Sequence, residues 1–273
     1  MNTVLRISTA LILMGTTPLF AQSESKEQLV VPLTDPGKPG SLDIGLINGF
    51  IHITGYSGKD VIIDASTRST NRTDDRNTGS GGMRRISTNN ALDISAEEKN
   101  NRVRVSASSH QKPVNLTIRL PQRFSLKIST VNEGDITVEN VNGEMEINNV
   151  NGPIELTNIG GSVVANTING DLKATFREVS PNAPMAFSTL NGRVDVTFPA
   201  SVKANVKLKS DRGDIFSDFD IDVDKNQPKA TRSAQSGMYR VTVEDWVYGK
   251  INNGGPEVMM KSMQGSIYVR KAK

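Results

Sequence analysis

The chain has 273 residues, with 23 Gly, 12 Pro, no Cys, two His and 5% aromatic residues. The absence of Cys excludes a disulfide framework, a Cys-ligated zinc site, an iron–sulfur cluster and a thiol nucleophile. The formal net charge of +3, with no block of Lys or Arg, gives no electrostatic footprint for nucleic acid. We therefore expect no cofactor and no nucleic-acid partner.

The first 21 residues have the layout of a secretory signal peptide. Arg6 precedes an apolar run at 11–14, and small or apolar residues lead to Ala21. We expect cleavage before Gln22 and export to the periplasm or cell surface of a bacterium. A membrane anchor is the weaker interpretation, because residues 15–18 interrupt the apolar run well short of the roughly 20 residues that a span needs. No transmembrane span is expected after cleavage.

Residues 22–130 are predicted to form an N-terminal β region, because short alternating or β-branched segments recur along it. The predicted strands lie at 41–53, 61–65, 91–95, 103–107, 114–120 and 125–129. Residues 68–88 show no periodicity and are predicted to be an exposed loop, as are residues 224–236. No amphipathic helical pattern is present, so the predicted fold class is all-β.

A nine-residue repeat begins the second region, residues 131–273. Five glycines recur in register, each followed by a strand-like hexapeptide: Gly134, Gly143, Gly152, Gly161 and Gly170. Looser copies follow Gly192, Gly213 and Gly265, and an earlier copy follows Gly49. The residues two and four positions after each glycine are apolar, which is typical of a strand with one buried face.

A third apolar residue comes seven positions after the glycine and breaks this alternation: Val141, Val150, Ile159 and Ile168. It can point inward only if the chain turns, and we place Asn140, Asn149 and Asn158 at that turn because Asn tolerates left-handed dihedral angles. Repetition of such strand-plus-turn units predicts a β-solenoid or β-roll-like stack. An antiparallel meander is the alternative, because Asn-Gly is also a strong hairpin signal.

The segment 239–273 is predicted to cap the open end of the repeat, which would otherwise leave apolar surface in water. Trp246 supplies the largest apolar side chain of the cap. Five residues continue the inward pattern: Val258, Met260, Met263, Ile267 and Val269.

Three parts of the sequence resemble the bacterial putative-adhesin domain family: VPLTDPGKPGSLDIGLINGFIHITGYSGKDVIIDAS, the NG-x-I-x-I repeats, and the ending INNGGPEVMMKSMQGSIYVRK. The resemblance covers roughly residues 41–271. It implies an exported or envelope-associated β-strand-repeat protein, and it brings no catalytic motif to this chain. Some members of that family accompany envelope-stress regulators, so the resemblance also implies a regulatory role as an alternative.

Acidic residues occupy outward positions one and three after the glycines: Asp135, Glu144, Glu146, Glu155, Asp171, Asp195 and Asp214. Such a row is compatible with calcium binding or with the paired carboxylates of a carbohydrate-active enzyme. Lys173 and Arg193 interrupt the row, and no loop has close-packed calcium-ligand spacing, so a solvated sheet face is favoured. The alternating acids from Asp218 to Asp224 are likewise interpreted as one charged strand face.

The other candidate residues also have structural interpretations. His52, between two isoleucines, is predicted to point into solvent, and His110 lies in a turn-like stretch. The glycines at 79–82 lack the strand-to-helix context of a phosphate-binding loop. Three aromatic residues that could form a glycan platform are assigned to the cap: Tyr239, Trp246 and Tyr248. No catalytic, cofactor-binding or metal-binding residue is predicted.

Repetition without a catalytic constellation, together with expected export, predicts a non-enzymatic protein that binds or scaffolds at the cell envelope through long flat faces. The expected partner is an unidentified envelope protein or glycan. Two alternatives remain open: an envelope-stress sensor or regulatory partner, and a carbohydrate-active enzyme that uses the acidic row.

Overall fold

A computed structural model of the protein describes residues 25–67, 92–108, 113–132, 134–224, 230–235, 238–243 and 245–273. The expected signal peptide, the predicted loop at 68–88, the glycines at 79–82 and His110 lie outside the described residues. Within them the chain is all-β and contains no helix. The predicted fold class is confirmed.

Most of the strands have nine residues or fewer, and β11 has 16. In chain order they are β1 Ser25–Pro32, β2 Gly40–Asn48, β3 Ile51–Tyr56, β4 Asp60–Thr67, β5 Asp93–Lys99, β6 Arg102–Ser108, β7 Val114–Pro121, β8 Phe124–Asn132, β9 Ile136–Glu139, β10 Asn142–Asn149, β11 Ile154–Asn169, β12 Leu172–Val179, β13 Met185–Asn191, β14 Val194–Phe198, β15 Ala204–Ser210, β16 Ile215–Ser217, β17 Asp222–Val223, β18 Ala230–Gln235, β19 Met238–Val243, β20 Val247–Ile251, β21 Glu257–Gln264 and β22 Ile267–Lys271.

Two sheets enclose the core between them. The front sheet has the order β5–β6–β2–β8–β10–β11–β13–β21–β15–β20–β17. The back sheet has the order β1–β4–β7–β3–β9–β11–β12–β14–β22–β16. The long strand β11 turns at Asn158, so its first half belongs to the back sheet and its second half to the front sheet. Strands β18 and β19 pair with each other in a separate hairpin.

Each coil consists of one front strand followed by one back strand. In the regular region, equivalent residues of neighbouring coils are 18 positions apart, since Asn142 aligns with Gly160 and Ile154 with Leu172. Two nine-residue units therefore make one coil, and neighbouring coils run parallel. This pairing confirms the β-solenoid and is incompatible with the antiparallel meander. Antiparallel pairing among the described strands occurs only at the two ends and in the separate hairpin.

The core consists of ladders of equivalent apolar side chains, one from each coil. One ladder of the back sheet comprises Ile51, Ile136, Ile154, Leu172, Val194 and Ile267, all fully buried. The rings of Phe176 and Phe198 stack at 5.2 Å between the centroids, and Phe187 meets Phe176 edge-on. Burying each large apolar side chain contributes about 1.5–3 kcal/mol, so this spine stabilises the stack along its whole length.

Most of the strand predictions for the N-terminal region are confirmed. The segment predicted as one strand at 41–53 is instead two, because the chain turns at Gly49, where φ is 117°. A side chain there would also strike the carbonyl of Val114. Residues 230–235, predicted as loop, form β18.

The C-terminal segment is not a simple cap. Strands β21 and β22 lie between β13–β14 and β15–β16, so they form an internal coil. Four of the five residues predicted to point inward are buried there, but Met263 is exposed. Among the described strands of 239–273, β20 pairs at the outer edge of β15 and so lies at the end of the stack. Trp246 is half-buried on the outer surface of the front sheet.

Candidate interaction surface

Two different corners connect the sheets. The first leads from a back strand to the next front strand, and the second leads from a front strand to the following back strand. The backbone geometry of each corner determines which side chains point to the surface. At the first corner, Asn140 and Asn158 have left-handed φ values of 59° and 53°. This interrupts the alternation of the strand and turns Val141 and Ile159 into the core, as predicted. Asn149 was predicted to act in the same way, and this is wrong. It continues strand β10 with its side chain buried.

At the second corner, glycines from successive coils stack in a column: Gly49, Gly134, Gly152, Gly170, Gly192, Gly265 and Gly213. A Cβ atom on Gly152 would lie 2.4 Å from the carbonyl oxygen of Gly134, and one on Gly192 would lie 2.1 Å from that of Gly170. Because no side chain fits between the coils here, glycine is required by close backbone approach.

Buried polar side chains bind the carbonyls of this glycine column. The hydroxyls of Thr167, Thr189 and Ser262 donate to the carbonyls of the glycines one coil back, at 2.8–3.0 Å. The amide of Asn149 donates to the carbonyls of both Gly134 and Gly152. Buried polar groups are normally paired in this way, so the inward position before the corner is polar for a structural reason.

The residue before the corner points inward in each coil, as these polar side chains do and as Leu46 does in β2, so the next residue points outward. The result is a single file of exposed apolar side chains, here named the apolar ridge: Ile47, Val131, Val150, Ile168, Leu190 and Met263. Five of them are 38–54% exposed, and Val150 is half-buried. The inward positions predicted for Val150 and Ile168 are therefore wrong.

Uncharged polar ladders border most of the apolar ridge. On the corner side, the amide of Asn191 donates to Asn169 at 2.6 Å, and the amide of Asn169 donates to Asn151 at 2.7 Å. On the sheet side, the hydroxyl of Ser188 donates to Asn166, which donates to Asn148. A contiguous apolar file with a polar border is typical of an interaction surface.

A cluster of lysines and aromatic residues, here named the lysine–aromatic patch, adjoins the ridge on the front sheet. It comprises Lys207, Lys209, Trp246, Tyr248 and Lys261. The ammonium of Lys207 lies 4.6 Å from the ring centroid of Trp246 and 5.8 Å from that of Tyr248. Lys209 pairs with Asp211 at 3.3 Å. Among the described residues, no carboxylate lies within ion-pair distance of Lys207 or Lys261.

The structure divides the predicted acidic row between the two sheets. Glu144 and Glu146 point outward from the front sheet, and the others belong to the back sheet. Several face a cation from a neighbouring coil, with the pairs Glu146–Lys127 at 3.3 Å, Glu155–Lys173 at 2.9 Å, Asp171–Arg193 at 3.0 Å and Asp195–Arg270 at 2.7 Å. The hydrogen bond from Arg270 to the Asp195 carboxylate raises the pKa of this guanidinium. These contacts make ion pairs between coils and do not assemble a carboxylate centre.

The acids from Asp218 to Asp224 do not share one strand face. Asp218 lies at the edge of the back sheet, where it accepts a hydrogen bond from the backbone of Lys271. Phe219 then enters the core, and Asp222 belongs to the front sheet. The interpretation as a single charged face is wrong.

His52 points outward from β3, as predicted. Its Nε2 lies 3.2 Å from the Thr54 hydroxyl and 3.9 Å from the Glu139 carboxylate, and its side chain is 41% exposed. No three His, Asp or Glu residues in the described part of the chain lie close enough to hold a metal ion. The described ranges also include no helix with the length and apolar character needed to cross a bilayer.

Neither the apolar ridge nor the lysine–aromatic patch was predicted from the sequence. The sequence does show an apolar residue seven positions after the glycine in successive units. Alternate units, however, end at different corners, so this residue is buried in one unit and exposed in the next. Only the structure distinguishes the two kinds of unit. The patch joins residues from β15, β20 and β21, which share no local pattern.

Two solved structures are similar to this chain along most of its length. A putative cell adhesion protein from Clostridium sporogenes ATCC 15579 is similar over 92% of this chain and 100% of its own, at 13% identity and a TM-score of 0.45. A putative adhesin from Bacteroides fragilis NCTC 9343 is similar over 92% of this chain and 98% of its own, at 14% identity and a TM-score of 0.39. A search of curated proteins returned no match.

The family comparison bears on more than half of the chain. The matched residues, 124–269, run from the start of β8 into β22 and include the regular nine-residue units. The resemblance seen in the repeats and the C-terminal ending is thereby confirmed. The chain belongs to the family described as Toastrack DUF4097.

Proposed function

We propose that this protein is an exported, non-enzymatic β-solenoid that binds or scaffolds at the cell envelope through its front sheet. The observation that carries the proposal is the apolar ridge, which continues through six coils at the second corner. Exposing such a file to water is unfavourable, and soluble proteins rarely keep contiguous apolar patches without a binding role. Export to the periplasm or cell surface is part of the proposal and rests on the layout of residues 1–21.

The arrangement of the charged residues supports binding rather than catalysis. A shallow groove of about 590 Å³ lies on the front sheet. Its lining includes Asp43 with Arg104 and Lys127 with Glu146, which are already joined as ion pairs. A catalytic site needs reactive groups that converge on one point in a cleft, and the charges here are spread along open sheets.

The proposal is tested by measuring how tightly the purified protein, as its host processes it, binds envelope fractions from that host. We expect the triple variant I168S/L190S/M263S to lose about tenfold or more in affinity, because three apolar contacts are removed. The matched control is V30S/F216S, which removes exposed apolar side chains of the back sheet. The control is expected to bind like the wild type.

Equal binding by the ridge variant and the wild type, with unchanged melting temperatures, would show that the ridge is not the binding surface. The same preparations are assayed against soluble polysaccharides. Catalytic turnover that is lost when Glu155 or Asp195 is replaced by Ala would overturn the non-enzymatic assignment and favour a carbohydrate-active enzyme.

A further inference from the structure

The apolar ridge and the lysine–aromatic patch lie side by side on one open surface. Lys261 occupies β21 between two outward-facing methionines, Met259 and Met263, and the latter belongs to the ridge. Lys209 is the neighbour of Lys261 on β15, and Lys207 is the neighbour of Met259. Trp246 and Tyr248 extend the same surface at its outer edge. Cationic, aromatic and aliphatic groups therefore alternate over one half of the front sheet.

The charges of the front sheet are unevenly compensated. In the half nearer β6, Arg104 pairs with Asp43 and Lys127 pairs with Glu146, while Arg102 has no ion pair among the described residues. In the half nearer β20, Lys207 and Lys261 have no carboxylate within ion-pair distance among the described residues, and only Lys209 is paired. Asp222, Asp224 and Glu257 also belong to this half, where they line a depression together with Lys207. The cations that lie beside Met263 and Trp246 are Lys261 and Lys209.

We propose that this half of the front sheet seats the protein on a membrane surface that contains anionic phospholipid, and the proposal rests on the envelope role inferred above. Lysines near such a surface are attracted to lipid phosphates. Trp and Tyr favour the headgroup region because each combines an apolar ring with a polar atom. The ridge side chains would enter the boundary between headgroups and acyl chains, as the apolar face of an interfacial helix does.

The shape of the ridge favours a lipid surface over a protein partner or a polysaccharide. A stable protein interface buries about 800 Å² on each partner, which a single file of half-exposed side chains does not supply. A ridge at the corner of a solenoid enters a fluid surface without needing a matching groove. A polysaccharide carries many hydroxyl groups that need hydrogen-bond partners, and the side chains of the ridge are aliphatic and supply none.

The test uses the fluorescence of Trp246, the single Trp of the chain, together with co-sedimentation of the host-processed protein with vesicles. The vesicles contain phosphatidylcholine alone or phosphatidylcholine with phosphatidylglycerol. We expect binding and a blue shift of the Trp emission with phosphatidylglycerol. Both are expected to weaken at about 1 M salt, where the Debye length falls to roughly 3 Å.

The variant K207Q/K209Q/K261Q is expected to bind the anionic vesicles about a hundredfold more weakly, at about one kcal/mol per lysine. The matched control, R102Q/R104Q/K127Q, removes three cations from the other half of the same sheet and is expected to bind within about twofold of the wild type. Melting temperatures verify that each variant is folded.

Three results would overturn the proposal. One is equal binding to both kinds of vesicle or to neither. Another is an equal loss of binding in the control variant. A third is lysine-dependent binding of a soluble anionic polysaccharide without vesicle binding, which would assign the patch to that polymer. If the protein does not bind the vesicles but its binding to envelope fractions still depends on the ridge, the proposed function stands and the lipid assignment is wrong.

Discussion

The glycine column sets the closest approach between neighbouring coils. Gly49 lies against the carbonyl of Val114, and each of the other glycines lies against the carbonyl of a glycine one coil away. A Thr, Ser or Asn hydroxyl or amide binds most of these glycine carbonyls from the inside. A methyl group at such a position has no space unless the coils separate. Separation would in turn break the backbone hydrogen bonds that cross the corner, such as Gly152 N to Asn169 O at 2.8 Å.

We therefore predict that Gly152→Ala destabilises the protein by on the order of 2–3 kcal/mol, because its Cβ would lie 2.4 Å from the Gly134 carbonyl oxygen. Chemical denaturation of both proteins measures the difference. The matched control is Gly37→Ala, whose Cβ would meet only the Asp35 side chain at an ordinary 3.6 Å. Equal free energies of unfolding for the two Ala variants would contradict the close-approach argument.

At the residue scale, the sequence predicted that the repeated glycines are structural, but it did not reveal which contact requires them. Regular spacing identifies Gly134, Gly152 and Gly170 as equivalent, but it does not reveal the carbonyl that each one faces. The same limit explains the error at Asn149. Asn140 and Asn149 occupy the same place in the nine-residue unit, yet Asn140 turns the chain and Asn149 fills a buried polar position. The two residues differ because one coil contains two nine-residue units, and Asn140 and Asn149 lie at different corners of that coil.

A hydrogen-bonded clamp joins two connections at one end of the solenoid. The Glu98 carboxylate accepts hydrogen bonds from the backbone N–H groups of Thr34, at 3.1 Å, and Asn101, at 2.8 Å. These bonds hold the pKa of Glu98 below its ordinary value. Asn101 in turn exchanges hydrogen bonds with the backbone of Asp35. The clamp thereby ties the β1–β2 connection to the β5–β6 turn.

The lowered pKa gives a definite pH dependence. The folded state favours the ionised Glu98, so its contribution is fully present above the ordinary carboxyl pKa of about 4.3. It is lost as the pH falls through the lowered pKa of the folded state. We predict that Glu98→Gln lowers the melting temperature at pH 7, and that the difference from the wild type shrinks as the pH falls below about 4.

The neighbouring variant Glu97→Gln serves as the control, because Glu97 is exposed and makes no hydrogen bond or ion pair of its side chain with any other described residue. It is expected to melt like the wild type at both pH values. A difference between Glu98→Gln and the wild type that widens in acid would mean that the carboxylate is not the stabilising form.

The arrangement of the strands could be predicted where the chain repeats, because the apolar positions of the five nine-residue units recur at constant spacing and this indicates parallel coils. It could not be predicted where the order of the coils in space differs from their order in the chain. There the strand order depends on pairing between distant segments. The ladder of Met185, Val258 and Val206 joins strands that are far apart in sequence, and no local pattern specifies that β21 lies between β13 and β15.

At the scale of the whole molecule, this insertion makes the C-terminal segment part of the stack. Strand β21 pairs with β13 on one side and β15 on the other, and β22 joins β14 to β16 in the same way. Among the described strands, these coils pair only through this segment, so removal of residues 239–273 would separate them. It would also expose the edges of four strands, and an unpaired strand edge can pair with a strand of another chain and so cause aggregation.

We predict that a chain ending at residue 238 loses its cooperative melting transition and aggregates, as measured by circular dichroism and size-exclusion chromatography. The matched control replaces residues 226–244, which include the separate β18–β19 hairpin, by a short Gly-Ser turn. Asp224 already bonds Tyr248 across β17 and β20, so a short turn spans this gap. The control keeps every strand pair of the two sheets and is expected to remain monomeric with the wild-type transition. A soluble, fully β-structured 1–238 chain would show instead that β15 and β16 can dock directly on β13 and β14, and that the inserted coil is dispensable.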